Sequence, residues 1–116
     1  MGRLTTHVLD TAHGRPADGV EIRVYALAEG RRLCATALTN ADGRCDVPLL
    51  EGDAFTAGVY ELEFAAGDYF ERLGVEASDP PFVGDVVLRF GVADAARHYH
   101  VPLLVTPWSY STYRGS

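Results

Sequence analysis

The feature that most constrains this chain is a two-residue alternation of apolar and polar side chains, repeated in short runs. In 20–27 the apolar residues Val20, Ile22 and Val24 alternate with polar ones, and 58–64 follows the same pattern. Such alternation puts one set of side chains on each face of a β-strand. We therefore predict strands with one buried face here and in the related runs 4–10, 33–39, 44–47, 84–90, 97–105 and 108–114.

Turn-forming residues separate these runs. The segment 40–43 reads Asn-Ala-Asp-Gly and predicts a tight turn in which Gly43 takes positive φ. The one predicted helix is 67–74, where Asp68 suits the first turn and Gly74 the end. About eight short strands with one short helix predict an all-β antiparallel sandwich.

Length and charge limit the classes of function. The 116 residues predict one domain, 1–116. A net charge of −6 disfavours nucleic acid and anionic membrane surfaces as partners, because both attract basic proteins. No apolar run approaches a membrane span, and we see no secretory pattern, so we expect the cytoplasm. Cys34 and Cys45 predict reduced thiols, although pairing across neighbouring strands stays open.

Histidines supply the first candidate chemistry. His98 and His100 are two residues apart and so share one face of a predicted strand. His-x-His on a strand is compatible with zinc, for which Cys45 or His7 would have to complete the ligand set, but no spacing pattern supports either. Two surface or interface histidines are the plainer interpretation of this pair.

His7 and Arg44 are weak signals when each is taken alone. A single histidine on a strand is usually structural or solvated, and an arginine after a hairpin turn usually lies on the rim. Both gain meaning if they point at one pocket, because a nearby cation disfavours the charged imidazole and keeps it able to accept a proton.

The last residues form a dense polar group. Tyr113, Arg114, Gly115 and Ser116 follow an apolar, β-rich run, so we expect an ordered tail that offers a phenol, a guanidinium, a hydroxyl and the terminal carboxylate. Such a set suits a small anionic or amide-rich ligand.

Taken together, these segments resemble one family along nearly the whole chain. The matching segments are Leu-Thr-Thr-His-Val-Leu-Asp at 4–10, Gly-Arg-Pro-Ala at 14–17, Asp-Gly-Arg at 42–44, Gly-Asp-Tyr-Phe at 67–70, His-Tyr-His-Val-Pro-Leu-Leu at 98–104 and Tyr-Ser-Thr-Tyr-Arg-Gly-Ser at 110–116. They are similar to the 5-hydroxyisourate hydrolases, the transthyretin-like enzymes of purine breakdown. The terminal Tyr-Arg-Gly-Ser is the specific part, since the hormone-carrying transthyretins lack it.

The resemblance implies a sandwich of two four-stranded sheets with one short helix, and a homotetramer built as a dimer of dimers with sites where the dimers meet. It implies hydrolysis of 5-hydroxyisourate without metal or cofactor. The family's catalytic positions match His7, Arg44 and His100, and its substrate-binding positions match the tail 113–116, with His98 as a further member.

Two other functions compete with hydrolysis. A transthyretin-like carrier of a small ligand would need apolar and aromatic walls around its site. A plain sandwich module that binds other proteins would not need an ordered tail.

Overall fold

Two β-sheets pack face to face in this computed structural model, which describes residues 1–115. The strands are β1 (Arg3–Asp10), β2 (Arg15–Pro16), β3 (Glu21–Ala26), β4 (Arg32–Leu38), β5 (Leu50–Glu51), β6 (Gly58–Ala65), β7 (Asp85–Val92), β8 (His98–Val105) and β9 (Tyr110–Thr112). The helix α1 (Ala66–Arg72) follows β6 directly, and a 3-10 turn spans Gly52–Ala54. The predicted sandwich with one short α-helix is confirmed.

The first sheet carries the residues of interest. Its order is β2-β1-β8-β9, and β5 also pairs with β1, so this sheet has five strands where we expected four. Two of the five strands, β2 and β5, have only two residues each. The second sheet has four strands in the order β4-β3-β6-β7. β1 and β8 run parallel, with Thr5 opposite His100, and the other pairs are antiparallel.

The core lies between the sheets and is made by alternate residues of each long strand. In β6, Tyr60, Leu62 and Phe64 are at most 3% exposed, as the alternation predicts. β1 buries its even-numbered residues Leu4, Thr6, Val8 and Asp10, and β8 buries its odd-numbered residues Tyr99, Val101, Leu103 and Val105. Pro102 of β8 is buried as well, although it belongs to the even-numbered set. The other set, which includes Thr5, His7, His98 and His100, therefore projects from the outer face of the first sheet.

Two predicted strands are wrong in extent. Residues 45–47 form no strand, and Arg44 makes only an isolated bridge with His7. The segment 108–114 shortens to β9 because the Thr106 hydroxyl accepts hydrogen bonds from the backbone N–H groups of Trp108 and Ser109, which folds its start into a turn. Side-chain capping of this kind competes with strand pairing.

Candidate active site

A cavity of about 600 Å³ lies on the outer face of the first sheet. Its wall is rich in polar and cationic groups and includes most residues that the sequence predicted for the site. The lining residues are Arg3, Thr5, Thr6, Arg44, Cys45, Asp46, Val47, Pro48, Leu49, His98, His100, Tyr113, Arg114 and Gly115. A cavity of this size fits a small heterocycle.

Arg44 reaches the cavity because of the turn before it. The Asn40 side-chain oxygen accepts hydrogen bonds from the backbone N–H groups of Asp42 and Arg44, at 2.9 and 3.3 Å. Gly43 takes φ 73°, as predicted, and a Cβ there would lie 2.3 Å from the carbonyl oxygen of Val8. Only glycine suits this close approach to β1, which places Arg44 beside His7.

His7 lies next to the cavity rather than in its wall. Its Nε2 lies 2.9 Å from the carbonyl oxygen of Asp42. A carbonyl only accepts, so Nε2 donates, and in the neutral ring Nδ1 carries the lone pair. Burial and the charge of Arg44 lower the pKa of His7 below 6.5, although the bond to Asp42 opposes them. Neutral His7 therefore presents an acceptor nitrogen.

His98 and His100 sit on the cavity wall with their ring centroids 6.4 Å apart. His98 is exposed, whereas His100 is half-buried. Burial, followed by the charges of Arg44, His7 and His98, lowers the pKa of His100 below 6.5. His100 is therefore neutral at pH 7 and able to accept a proton.

The tail packs onto His100. The Gly115 N–H donates to the His100 carbonyl oxygen at 2.8 Å, and a Cβ on Gly115 would lie 2.7 Å from Cδ2 of the His100 ring. Arg114 places its guanidinium carbon 4.0 Å from the centroid of the Tyr99 ring. Arg114 and Gly115 therefore lie against β8, while Ser116 lies outside the described residues.

We expect Gly115→Ala to lower turnover because the added methyl group must displace either the His100 ring or the tail. A general base contributes about 10²–10⁴-fold to a rate, so displacing an imidazole that serves as one should cost at least about 10-fold. Gly84→Ala is the matched control, since a Cβ there meets nothing within 4 Å. Steady-state kinetics on both variants measures the effect. Equal turnover rates in Gly115→Ala and Gly84→Ala would show that the tail does not support the site.

Metal binding has little support in this geometry. Among residues 1–115, no group of three His, Cys, Asp or Glu side chains is placed to hold a metal ion. Cys45 lines the cavity, but burial and the nearby Asp46 raise the pKa of its thiol, which disfavours the thiolate that metals and electrophiles require. Both Cys34 and Cys45 are free thiols.

The cavity also contains residues that the sequence analysis missed. Arg3, Thr5 and Asp46 line it, yet the sequence analysis assigned none of them to the site. Thr5 is the most telling, because its hydroxyl contacts both His98 and His100. The sequence pointed to Thr5 only through its spacing, since residues two apart on β1, such as Thr5 and His7, share a strand face.

The similarity to known proteins agrees with this geometry. The HIUase/Transthyretin family matches residues 4–115. This chain belongs to that family. The 5-hydroxyisourate hydrolase of Ralstonia nicotianae is 61% identical over 117 residues and covers 100% of both chains. Among curated relatives, that of Pseudomonas aeruginosa is 60% identical and is covered over 93% of its length.

Family members of different function share the fold. The structure of Klebsiella pneumoniae 5-hydroxyisourate hydrolase matches with a TM-score of 0.83 at 33% identity and covers 100% of both chains. Sea bream transthyretin in complex with thyroxine matches with a TM-score of 0.87 at 31% identity, over 97% of this chain and 94% of that one. The fold alone therefore does not distinguish a hydrolase from a carrier. The residues that line the cavity have to make that distinction.

No helix among residues 1–115 has both the length and the apolar character to cross a bilayer.

Proposed function

We propose that this protein is a 5-hydroxyisourate hydrolase, which opens the six-membered ring of its substrate to give 2-oxo-4-hydroxy-4-carboxy-5-ureidoimidazoline. The observation that carries the proposal is the convergence of Arg44, His98, His100 and the tail residues 113–115 on one cavity. Identity of 61% to a relative of that name supports the choice of substrate.

Hydrolysis of a cyclic amide has three chemical requirements, and the cavity offers a group for each. Water must lose a proton as its oxygen bonds to the ring carbonyl carbon, the developing oxyanion needs positive charge, and the departing nitrogen needs a proton. In our proposal His100 takes the water proton and Arg44 stabilises the oxyanion. Tyr113, Arg114, Gly115 and Ser116 bind the substrate edge.

The hydrogen bond of His7 argues against a role as the acid that protonates the departing nitrogen. Its only N–H in the neutral state is bonded to the Asp42 carbonyl oxygen, so it is not a ready proton donor. We propose that Nδ1 of His7 orients the attacking water or the substrate. The proton that His100 takes from water then returns to the departing nitrogen, so that the protons balance over the cycle.

A carrier function fits the cavity less well. Carriers of aromatic ligands bind them between apolar walls, whereas this cavity presents three arginines, two histidines and Asp46. Assay of the purified protein with freshly generated 5-hydroxyisourate decides between the two functions. Rapid, saturable loss of substrate is the expected result, and a protein that binds an iodinated aromatic without hydrolysing 5-hydroxyisourate would be a carrier.

Arg44→Ala is expected to change both the rate and its pH dependence. Loss of charge stabilisation should lower kcat by about 10²-fold. Without Arg44, the pKa of His100 and of His7 should rise, while the lowering due to burial remains. Because the base must be neutral, the acid limb of the kcat/KM profile then moves to higher pH. Arg32→Ala, an exposed arginine on β4, makes the same change in net charge away from the cavity and should alter neither quantity.

We also propose the homotetramer, a dimer of dimers. β7 and β9 lie at sheet edges, and within residues 1–115 neither has a second strand partner. Exposed apolar side chains lie on or beside these edges, including Val87 at 41%, Tyr110 at 50% and Trp108 at 59%. Edge pairing with a second copy would satisfy both features. Light scattering of the eluted protein should give four times the 12.6 kDa chain mass.

The single domain and the cytoplasmic location stay predictions. The two free thiols are compatible with a reducing compartment.

A further inference from the structure

A threonine hydroxyl joins the two cavity histidines. Thr5 lies opposite His100 in the parallel β1–β8 pair, and its Oγ1 is 2.8 Å from Nδ1 of His100 and 2.9 Å from Nε2 of His98. Thr5 is half-buried, so water competes only in part for these bonds. Both distances lie within the normal range for hydrogen bonds.

Counting protons limits how this network can be arranged. A hydroxyl has one hydrogen and two lone pairs. Within residues 1–115 the only hydrogen-bond partners of Thr5 Oγ1 are the two rings, so Thr5 donates to one ring and accepts from the other. Each neutral imidazole has one N–H. The network therefore runs either from His100 through Thr5 to His98 or in the opposite direction, and each direction assigns a different nitrogen of His100 as the proton acceptor.

The proposed role of His100 selects one direction. Nδ1 is bonded to Thr5, and within residues 1–115 no hydrogen bond involves Nε2, which leaves Nε2 to meet water. Nε2 can take a proton only if its lone pair is free, which puts the single hydrogen of His100 on Nδ1. Nδ1–H then donates to Thr5 Oγ1, and the Thr5 hydroxyl donates to Nε2 of His98.

We propose that Thr5 is a positioning residue that holds His100 in the Nδ1–H tautomer and His98 in the same tautomer, so that Nε2 of His100 is the basic nitrogen. This inference rests on the proposed hydrolase function. It gives His98 a defined place, as the acceptor at the far end of the network. Histidine in water favours the Nε2–H form, which would leave the base blocked without this contact.

Other charged groups face His100 but do not set its tautomer. The charge of Arg44, and the charges that His7 and His98 carry when protonated, lower the pKa of His100, and Arg3, Asp46 and Arg114 also line the cavity. None of them makes a side-chain hydrogen bond to a ring nitrogen of His100 within residues 1–115. Tautomer choice therefore depends on Thr5.

The direct test is nitrogen NMR of the ring tautomers in the ligand-free protein, with Thr5→Val compared against Thr5→Ser. Valine keeps the branched shape that suits a strand and removes the hydroxyl, whereas serine keeps the hydroxyl. We expect Nδ1–H at His100 in the parent and in Thr5→Ser, and a shift toward Nε2–H in Thr5→Val. The same tautomer in all three proteins, or Nε2–H in the parent, would overturn the proposal.

Kinetics gives a second readout. Thr5→Val should lower kcat by about 10-fold to 100-fold, part of what a general base contributes, with little change in KM. Thr5→Ser should restore most of the rate. Failure of the hydrolase proposal would appear separately, as an inactive parent protein, while the NMR result would still decide which tautomer Thr5 holds. A Thr5→Val enzyme with parental kcat would remove Thr5 from the mechanism.

Discussion

His100→Ala is expected to lower kcat for 5-hydroxyisourate by about 10²–10⁴-fold, the usual contribution of a positioned general base. The pKa of His100 is lowered by burial and then by Arg44, which keeps the ring neutral and reactive at pH 7. Alanine removes that proton acceptor but leaves Thr5, Arg44 and the tail. KM should change less than kcat, because the ring acts on water more than on bound substrate.

The histidine at the other end of the sheet is the matched control. His13 bonds to Asp10, which pairs with Val105, five residues along β8 from His100 and therefore roughly 16 Å away at ~3.3 Å per residue. His13→Ala should cost some stability but leave kcat unchanged. Full activity in His100→Ala, or equal losses in both variants, would show that His100 is not the base.

Asp10→Ala is expected to lower the free energy of unfolding by about 3 kcal/mol, because it breaks a buried hydrogen-bonded charge. The Asp10 carboxylate is fully buried. It accepts hydrogen bonds from the Ala12 and His13 backbone N–H groups, from the His13 ring at 2.6 Å and from the Tyr69 hydroxyl at 2.8 Å. Removing it leaves the Tyr69 hydroxyl without this acceptor. Denaturant unfolding measures the loss.

The same carboxylate gives stability a defined pH dependence. Burial raises the pKa of Asp10, but the hydrogen bonds from His13 and Tyr69 outweigh it, and the net pKa lies below 3.8. The unfolded state therefore binds more protons in that window. Asp10 stabilises the fold fully above about pH 4, and this contribution is lost as pH falls through the lower, folded-state pKa.

Two variants separate charge from hydrogen bonding at this position. Asp10→Asn keeps one acceptor oxygen, so it should cost less than Asp10→Ala and should flatten the acid dependence of stability. The exposed Asp18→Ala should change the free energy of unfolding by less than about 0.5 kcal/mol. An Asp10→Ala protein as stable as the parent would show that the buried network contributes nothing net.

The sequence predicted the features that depend on neighbouring residues. The alternation in β6 identified that strand and its buried face, and the Asn-Ala-Asp-Gly turn predicted positive φ at Gly43. Errors arose where side chains bond to nearby backbone, as at Thr106, or where a run alternates without finding a partner strand, as at 45–47. The strand propensity of a segment takes account of neither the side-chain hydrogen bonds to nearby backbone nor the lack of a partner strand.

The candidate site divides in the same way. His7, His98, His100 and Arg44 could be named from residue type and from the resemblance to a family. Their arrangement could not, and neither could the part played by Thr5, because that hydroxyl meets the two histidines across 93 and 95 residues of sequence.

By itself, then, the sequence determined the longer strands and the turn before Arg44, since both follow from short-range periodicity and turn chemistry. Through the resemblance to a family, it also named the groups available for hydrolysis. Only the tertiary structure decided that β1 lies parallel to β8 with Thr5 opposite His100, that Gly115 packs on the His100 ring, and that His7 stands beside the cavity wall. Strand register and cavity shape depend on packing between distant segments, which no local pattern encodes.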